Sequence, residues 1–165
     1  MTPEEHLQEA LTALGYGNDP ETEQTAERLA AFLREQVAGD VPELSTFAVD
    51  RPSLVRLDDI PFHALCAHHL LPFFGTASIT YFPKKRVGGF SGIARRLQHH
   101  CMGPQLQERI ASRLAADLYE TLDARAVRVR LTARQMCMEM RGARVPSTIT
   151  VIREEGDVPL LGVPS

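Results

Sequence analysis

The sequence predicts an α+β fold: an antiparallel sheet carrying two helices on one face, with further helices at the N-terminus. Two periodicities and one ordering predict it. Phe74 to Phe82 and Ala126 to Thr132 alternate apolar and polar residues, as strands with one buried face do. Between them, Leu106, Ile110, Leu114, Leu118 and Leu122 recur at intervals of four, the stripe of a helix laid on a core. The order of helices, two strands, two helices and two strands segregates the strands from the helices that cover them.

Thr2 to Leu14 predicts a short amphipathic helix, broken by Gly15, Gly17 and Pro20. A second helix is expected from about Glu21 to Val37, with Leu29, Phe32 and Leu33 on one side and Gly39 and Pro42 ending it. Each has a side that can pack on the body or on a neighbouring subunit. Leu54, Val55, Leu57 and Ile60 predict a strand that stops before Pro61. In Phe74 to Phe82, Ala77, Ile79 and Tyr81 share a face. Pro83 to Gly89 reads as a turn, Ser91 to His100 as a short helix and Pro104 to Leu122 as the longest helix. Val127, Val129 and Leu131 face one way in the next strand, Arg128 and Arg130 the other. Thr148 to Ile152 is the last strand, and the tail is expected to be loose. The organisation expected is a helical segment over 1–45, a sheet domain over 46–155 and a tail over 156–165. So small and open a sheet has exposed edges, which pairing with other subunits would remove.

The composition narrows the function. A chain of 165 residues, 44% hydrophobic and 24% charged, suits one ordinary globular domain with a sizeable core. A net charge of -3 gives no general reason to expect nucleic acid or a membrane surface as partner. Lys84 and Lys85 are the only lysines, which leaves arginine as the main partner for a phosphate-bearing ligand. The cysteines Cys66, Cys101 and Cys137 are odd in number and irregular in spacing, against a disulfide framework. The acidic, polar stretch Met1 to Ala10 is not a signal peptide, and no apolar run is long enough to span a bilayer. The cytoplasm is the expected compartment.

Cys66-Ala67-His68-His69 carries the chemistry. Cys66 and His69 are three residues apart and can point into one site from a single turn. A distant Cys137 can add a second thiolate. Two thiolates and an imidazole favour Zn²⁺, and three protein ligands leave a fourth position open, as catalytic zinc sites do. His68 is then left beside the metal to move protons. The spacing alone also fits packed residues, since a buried free cysteine behaves as a small hydrophobe. His99-His100-Cys101 has no distant partner and reads as a packed or solvated cluster.

Four blocks resemble the GTP cyclohydrolase type I family. Phe62-His63-Ala64-Leu65-Cys66-Ala67-His68-His69-Leu70-Leu71-Pro72-Phe73 resembles its first zinc segment, and Gly89-Phe90-Ser91-Gly92-Ile93-Ala94-Arg95 its phosphate-binding stretch. Pro104-Gln105-Leu106-Gln107-Glu108-Arg109 is similar to the start of its guanine-recognition helix, and Met136-Cys137-Met138-Glu139-Met140-Arg141-Gly142 to its second zinc segment. The blocks stand in the family's order over roughly residues 55 to 152. Thr25-Ala26-Glu27-Arg28-Leu29-Ala30 resembles its N-terminal arginine helix.

The resemblance implies a tunnelling fold (T-fold) in a toroidal homo-oligomer, typically a decamer, with active sites between subunits. It implies water attack at C8 of GTP, opening of the imidazole ring, loss of formate and closure to dihydroneopterin triphosphate. Carried over, Cys66, His69 and Cys137 would hold zinc and His68 would be the acid–base histidine. Glu108 would accept from the guanine N1 and 2-amino groups with Gln107 assisting. Ser91, Arg95, Arg141 and Arg28 would hold the phosphates.

The chain departs from the family pattern in its proton-transfer and phosphate-directed groups. Gln135 replaces a His that moves protons at the purine ring, and an amide cannot exchange a proton near neutral pH. Gly92 replaces a Lys after the serine. Ala67 replaces a Glu, and His63 replaces a small hydroxyl residue, where it could compensate for the lost His. Ring opening keeps its metal ligands, guanine anchor and proton donor, whereas the later proton transfers lose theirs. The expectation is a hydrolase that opens a guanine compound at C8 and stops before pterin closure. The lost Lys also allows a substrate with fewer phosphates. The alternatives are the conventional pterin-forming enzyme and a catalytically inactive guanine-nucleotide-binding or regulatory paralogue. A nitrile-reductase-like use of Cys66 as covalent nucleophile conflicts with its Cys-x-x-His spacing, and the His-x-Glu and Pro-Cys-x-x-Cys pattern of zinc deaminases is missing.

Overall fold

The computed structural model describes residues 1–162. The chain forms two compact units, Met1–Val37 and Ala38–Ser165, so the first unit ends earlier than the expected residue 45.

The first unit is a pair of helices, α1 (Pro3–Ala13) and α2 (Thr25–Glu35). Thr2 caps α1 reciprocally: its hydroxyl accepts from Glu5 N at 3.3 Å and its own N–H donates to Glu5 Oε2 at 2.7 Å. Glu4 and Arg34 tie the helices together at 2.5 Å. The second helix starts at Thr25 rather than near Glu21, because Pro20–Thr22 closes a separate 3₁₀ turn capped by Asp19.

The second unit runs β1 (Thr46–Ala48), β2 (Val55–Cys66), β3 (Pro72–Pro83), β4 (Arg86–Gly88), α3 (Phe90–His100), β5 (Pro104–Gln105), α4 (Gln107–Thr121), β6 (Ala124–Gln135), α5 (Met136–Glu139) and β7 (Thr148–Gly156). The main sheet has the order β5-β2-β3-β6-β7, and β1 and β4 make a separate antiparallel ribbon. Helix α4 packs on β6 and β7, and α3 on α4 and β2. The alternation and the helical stripe meet here. Ile79, Tyr81, Val127, Val129, Leu131, Ile110, Leu114 and Leu118 are all 0% exposed. Arg96 joins α3 to α4 by bonding Asp117, whose other oxygen lies 2.9 Å from His100 Nε2. That bond and the burial of Cys101 account for the His99-His100-Cys101 cluster, which is packed.

The structure corrects several sequence expectations. Strand β2 does not stop before Pro61 but continues to Cys66. Pro61 pairs with Thr76 on β3, whereas β5 reaches β2 only at Leu65 and Cys66. The missing N–H of Pro61 therefore costs no ladder bond on that open edge. The sheet is not wholly antiparallel, because β5 runs parallel to β2. Pro104 and Gln105 belong to that strand, so the long helix starts at Gln107. Strand β4 lies inside the expected turn. The tail from Gly156 is in part ordered: Val158–Leu161 forms a 3₁₀ turn with Leu161 buried. Among the described residues, no helix is long and apolar enough to cross a membrane.

Candidate metal centre and substrate cavity

The hairpin between β2 and β3 builds the first half of the site. Strand β2 ends on Cys66, which is 6% exposed because it caps the core side of the sheet. The chain turns back through Ala67 to Leu71. Leu70 N donates to Cys66 O at 2.8 Å, and Cys66 N to Leu71 O at 2.8 Å. Leu70 takes a φ of 54°, a left-handed conformation that costs a non-glycine residue about 1 kcal/mol or more. This tight turn folds His69 over Cys66, with Nδ1 3.8 Å from Sγ.

The second half comes from the end of β6. Phe73 pairs with Gln135, so β6 delivers its last residue beside the hairpin. Helix α5 follows at once and presents Cys137. Arg134 holds that short helix by two bonds to Glu139, at 2.9 and 2.5 Å. The ligand atoms of Cys66, His69 and Cys137 all lie within 4.8 Å of one another. Ligands of one tetrahedral zinc ion lie about 3.5 Å apart, so small side-chain adjustments close the set. Two sulfurs and one imidazole suit zinc, and the count leaves one position open. Burial, with Cys66 beside it, pushes the Cys137 thiol up from its ordinary range.

Arg141 Nη1 lies 2.5 Å from His69 Nε2. A guanidinium only donates, so this Nε2 accepts and the ring proton sits on Nδ1. Binding a metal through Nδ1 moves that proton to Nε2, so metal at Nδ1 and the Arg141 contact exclude each other.

A cavity of ≈ 160 Å³ opens beside these ligands, lined among others by Cys66, His68, Glu108, Gln135 and Cys137. A larger cleft of ≈ 370 Å³ lies on the sheet around Arg56, Asp58, Ser78 and Arg130. The smaller cavity is the better candidate, because the thiols, imidazole and carboxylate converge there. Glu108 is exposed at the first turn of α4, free to meet a ligand.

Gln107 is placed differently from Glu108. It is 3% exposed, and its amide bonds Leu131 O at 2.9 Å, Ile149 O at 3.0 Å and Gln135 at 2.8 Å. Two donors and one acceptor are thus engaged within the protein. His63 pairs with Phe74, and the next pair, Ala64 with Phe73, continues to Gln135. Successive residues face opposite ways, so within the subunit His63 lies on the other face of the sheet from Gln135.

Ser91 and Arg95 are exposed and one turn apart on α3, and neither lines the cavity. Arg28 lies on α2 and bonds Gln24 at 2.7 Å. Gly92 is buried under Leu44: a Cβ there would meet Leu44 Cδ1 at 2.7 Å. Leu44 and Gln105 are residues the sequence reading missed. Gln105 lines the cavity and has a buried oxygen without a partner. Leu44 lies in no motif, and Gln105 lies in the guanine-recognition block without a role of its own there; only tertiary packing reveals them.

Comparison with known proteins points one way. The family model for GTP cyclohydrolase I matches residues 3–157. A GTP cyclohydrolase 1 of Halalkalibacterium halodurans is 41% identical over 158 residues, covering 89% of this chain and 84% of that protein. That of Bacillus subtilis is 40% identical, covering 90% and 82%. Among solved structures, an archaeosine synthase QueF-Like in the apo form aligns with a TM-score of 0.53 at 22% identity, covering 67% of this chain and all of that one. This likeness, with the family match, identifies the architecture as a tunnelling fold.

Proposed function

Since the chain belongs to the GTP cyclohydrolase I family, we propose that it is a zinc-dependent hydrolase that opens the imidazole ring of GTP or a related guanine compound at C8 and stops before pterin closure. The observation that carries this reading is the convergence of Cys66, His69 and Cys137 within 4.8 Å, the two cysteines lining one cavity with His68 and Glu108. Those three residues would hold a zinc ion, which would supply Lewis acidity and activate water near neutral pH. Glu108 accepts from the guanine N1–H and 2-amino group, two adjacent donors that adenine does not offer as a pair. His68, exposed at the cavity wall, gives and takes the protons of C8 hydration. Gln135 occupies the place where the family pattern has a second proton-moving group, and its amide cannot fill that role. Gln107 supports the site from behind.

Ser91, Arg95, Arg141 and Arg28 bind the phosphates. Ser91, Arg95 and Arg28 meet the cavity of a neighbouring subunit, in a homo-oligomeric ring of ten copies. Leu44 packed over Gly92 removes one phosphate-directed position, which favours substrates with fewer phosphates. A second reading, full conversion to dihydroneopterin triphosphate and formate, is favoured by the 41% identity to an enzyme named GTP cyclohydrolase 1 across most of both chains.

The test is spectroscopic. Zinc-loaded protein is incubated with GTP, GMP, guanosine and guanine, and the purine absorbance is followed. Loss of that band with at least one compound, abolished by Cys137→Ala, is the expected result. Four unchanged spectra would sink the proposal.

A further inference from the structure

The backbone dictates the polarity of one side-chain relay in the cavity. One end of the Gln107 amide meets Leu131 O and Ile149 O, at 2.9 and 3.0 Å. Peptide oxygens only accept, so this end is the NH₂. The other end is therefore oxygen, and it lies 2.8 Å from the Gln135 amide. Gln135 must turn its own NH₂ towards it. Its oxygen faces the metal side, where the Cys137 thiol donates to it across 3.9 Å; a thiolate bound to metal would have no hydrogen to give, which leaves this oxygen to a ligand. Reversing either amide would set acceptor against acceptor in a nearly dry setting.

We propose that Gln135, held in orientation by Gln107 as a positioning residue, is a recognition residue whose oxygen favours the opened ring of a guanine nucleoside or nucleotide over the intact purine. The inference rests on the C8-opening reading above and names the form of the substrate that the site favours. In the purine, N7 is an acceptor and N9 carries the sugar, so neither offers a hydrogen to a fixed oxygen. Hydration puts the water oxygen on C8 and one of its protons on N7. Cleavage of the C8–N9 bond turns that oxygen into a formyl carbonyl, and the second proton ends on N9. One water is added and nothing is lost. The product carries N–H donors at both former ring nitrogens. A fixed acceptor gains its hydrogen bond only along this course, so it favours opening over binding. It also holds the formamide, where a proton-exchanging group would carry it onward.

Calorimetry with two ligands tests this on the zinc-loaded protein. One ligand is the formamidopyrimidine nucleotide, already opened. The other is 7-deaza-GTP, purine-shaped and unable to open. The wild type is expected to bind the opened ring more tightly. Gln135→Met should lower affinity for the opened ring about tenfold, the worth of one oriented hydrogen bond, and leave 7-deaza-GTP within about twofold. Gln107→Met should give the same selective loss, and the double variant no more than either alone. Gln135→Met keeps the Gln107 bonds to both carbonyls, so it decides the matter if Gln107→Met does not fold. Equal losses for both ligands, no loss for either, or losses that multiply in the double variant would overturn the proposal. If the selective loss appears but none of GTP, GMP, guanosine and guanine is opened, the functional reading fails while the assigned recognition stands.

Discussion

In the proposed function, Glu108 is the residue on which substrate identity turns. Its carboxylate is exposed at the cavity, with no ion pair among the described residues. Glu108→Ala removes both acceptors for guanine, and affinity should fall about a hundredfold or more, at about 1.5–3 kcal/mol per charged bond. Titration calorimetry with guanosine checks this; unchanged binding would remove the recognition assignment. Gln135→His tests the proton argument in the same cavity. The imidazole should add a limb near about pH 6.5 to the rate profile and increase released formate, measured by coupled assay. Cys101 gives a prediction independent of catalysis. Burial pushes its thiol up to about 12, whereas an unfolded thiol titrates near about 8.5. The unfolded chain therefore loses this proton first. The thiol's contribution is intact below about pH 8.5 and is lost as the pH rises towards 12, by at most about 1.4 kcal/mol per pH unit. Denaturant melts at pH 8 and pH 10, comparing wild type with Cys101→Ala, measure the difference.

Elements show what the sequence could and could not say. Strands β3 and β6 were legible because each buries one face, and alternation records burial. Helix α4 was legible for the same reason at its own period. The metal set was legible because Cys66 and His69 sit on one tight turn. Strand β5 was not, since two residues form a strand only by leaning on Leu65 and Cys66 of β2. Gln107 misled more subtly. A glutamine beside a recognition glutamate looks like a second substrate contact, but its partners are carbonyls 24 and 42 residues away in sequence. Gly92 makes the same point on α3. Lysine is missing there, and the structure shows Leu44 filling its place. Gly92→Lys alone must push Leu44 aside, at an overpacking cost of about 1–3 kcal/mol, partly offset by about 1 kcal/mol of helix propensity. Net destabilisation is expected in thermal melts. Coupled with Leu44→Ala, the lysine should be accommodated and raise the preference for GTP over guanosine.

At the scale of the whole molecule, the sheet has two unfinished edges. β7 pairs only with β6, and β2 pairs with β3 along its length but with β5 only at its last two residues. Among the described residues nothing else completes these ladders, and open edges invite pairing with further copies. Ser91 and Arg95 are also outside the cavity they are proposed to serve. A ring of subunits answers both facts, and native mass spectrometry should find about ten copies; a monomer at working concentration would contradict the shared-site account. The proposed reaction opens a guanine compound at C8 and stops before pterin closure. Its most direct test is the product mass after zinc-loaded protein meets GTP. A species heavier than GTP by one water, with the formyl carbon retained, is the expected product. Dihydroneopterin triphosphate with free formate would contradict the stop, and GTP, GMP, guanosine and guanine all recovered unchanged would contradict the opening itself.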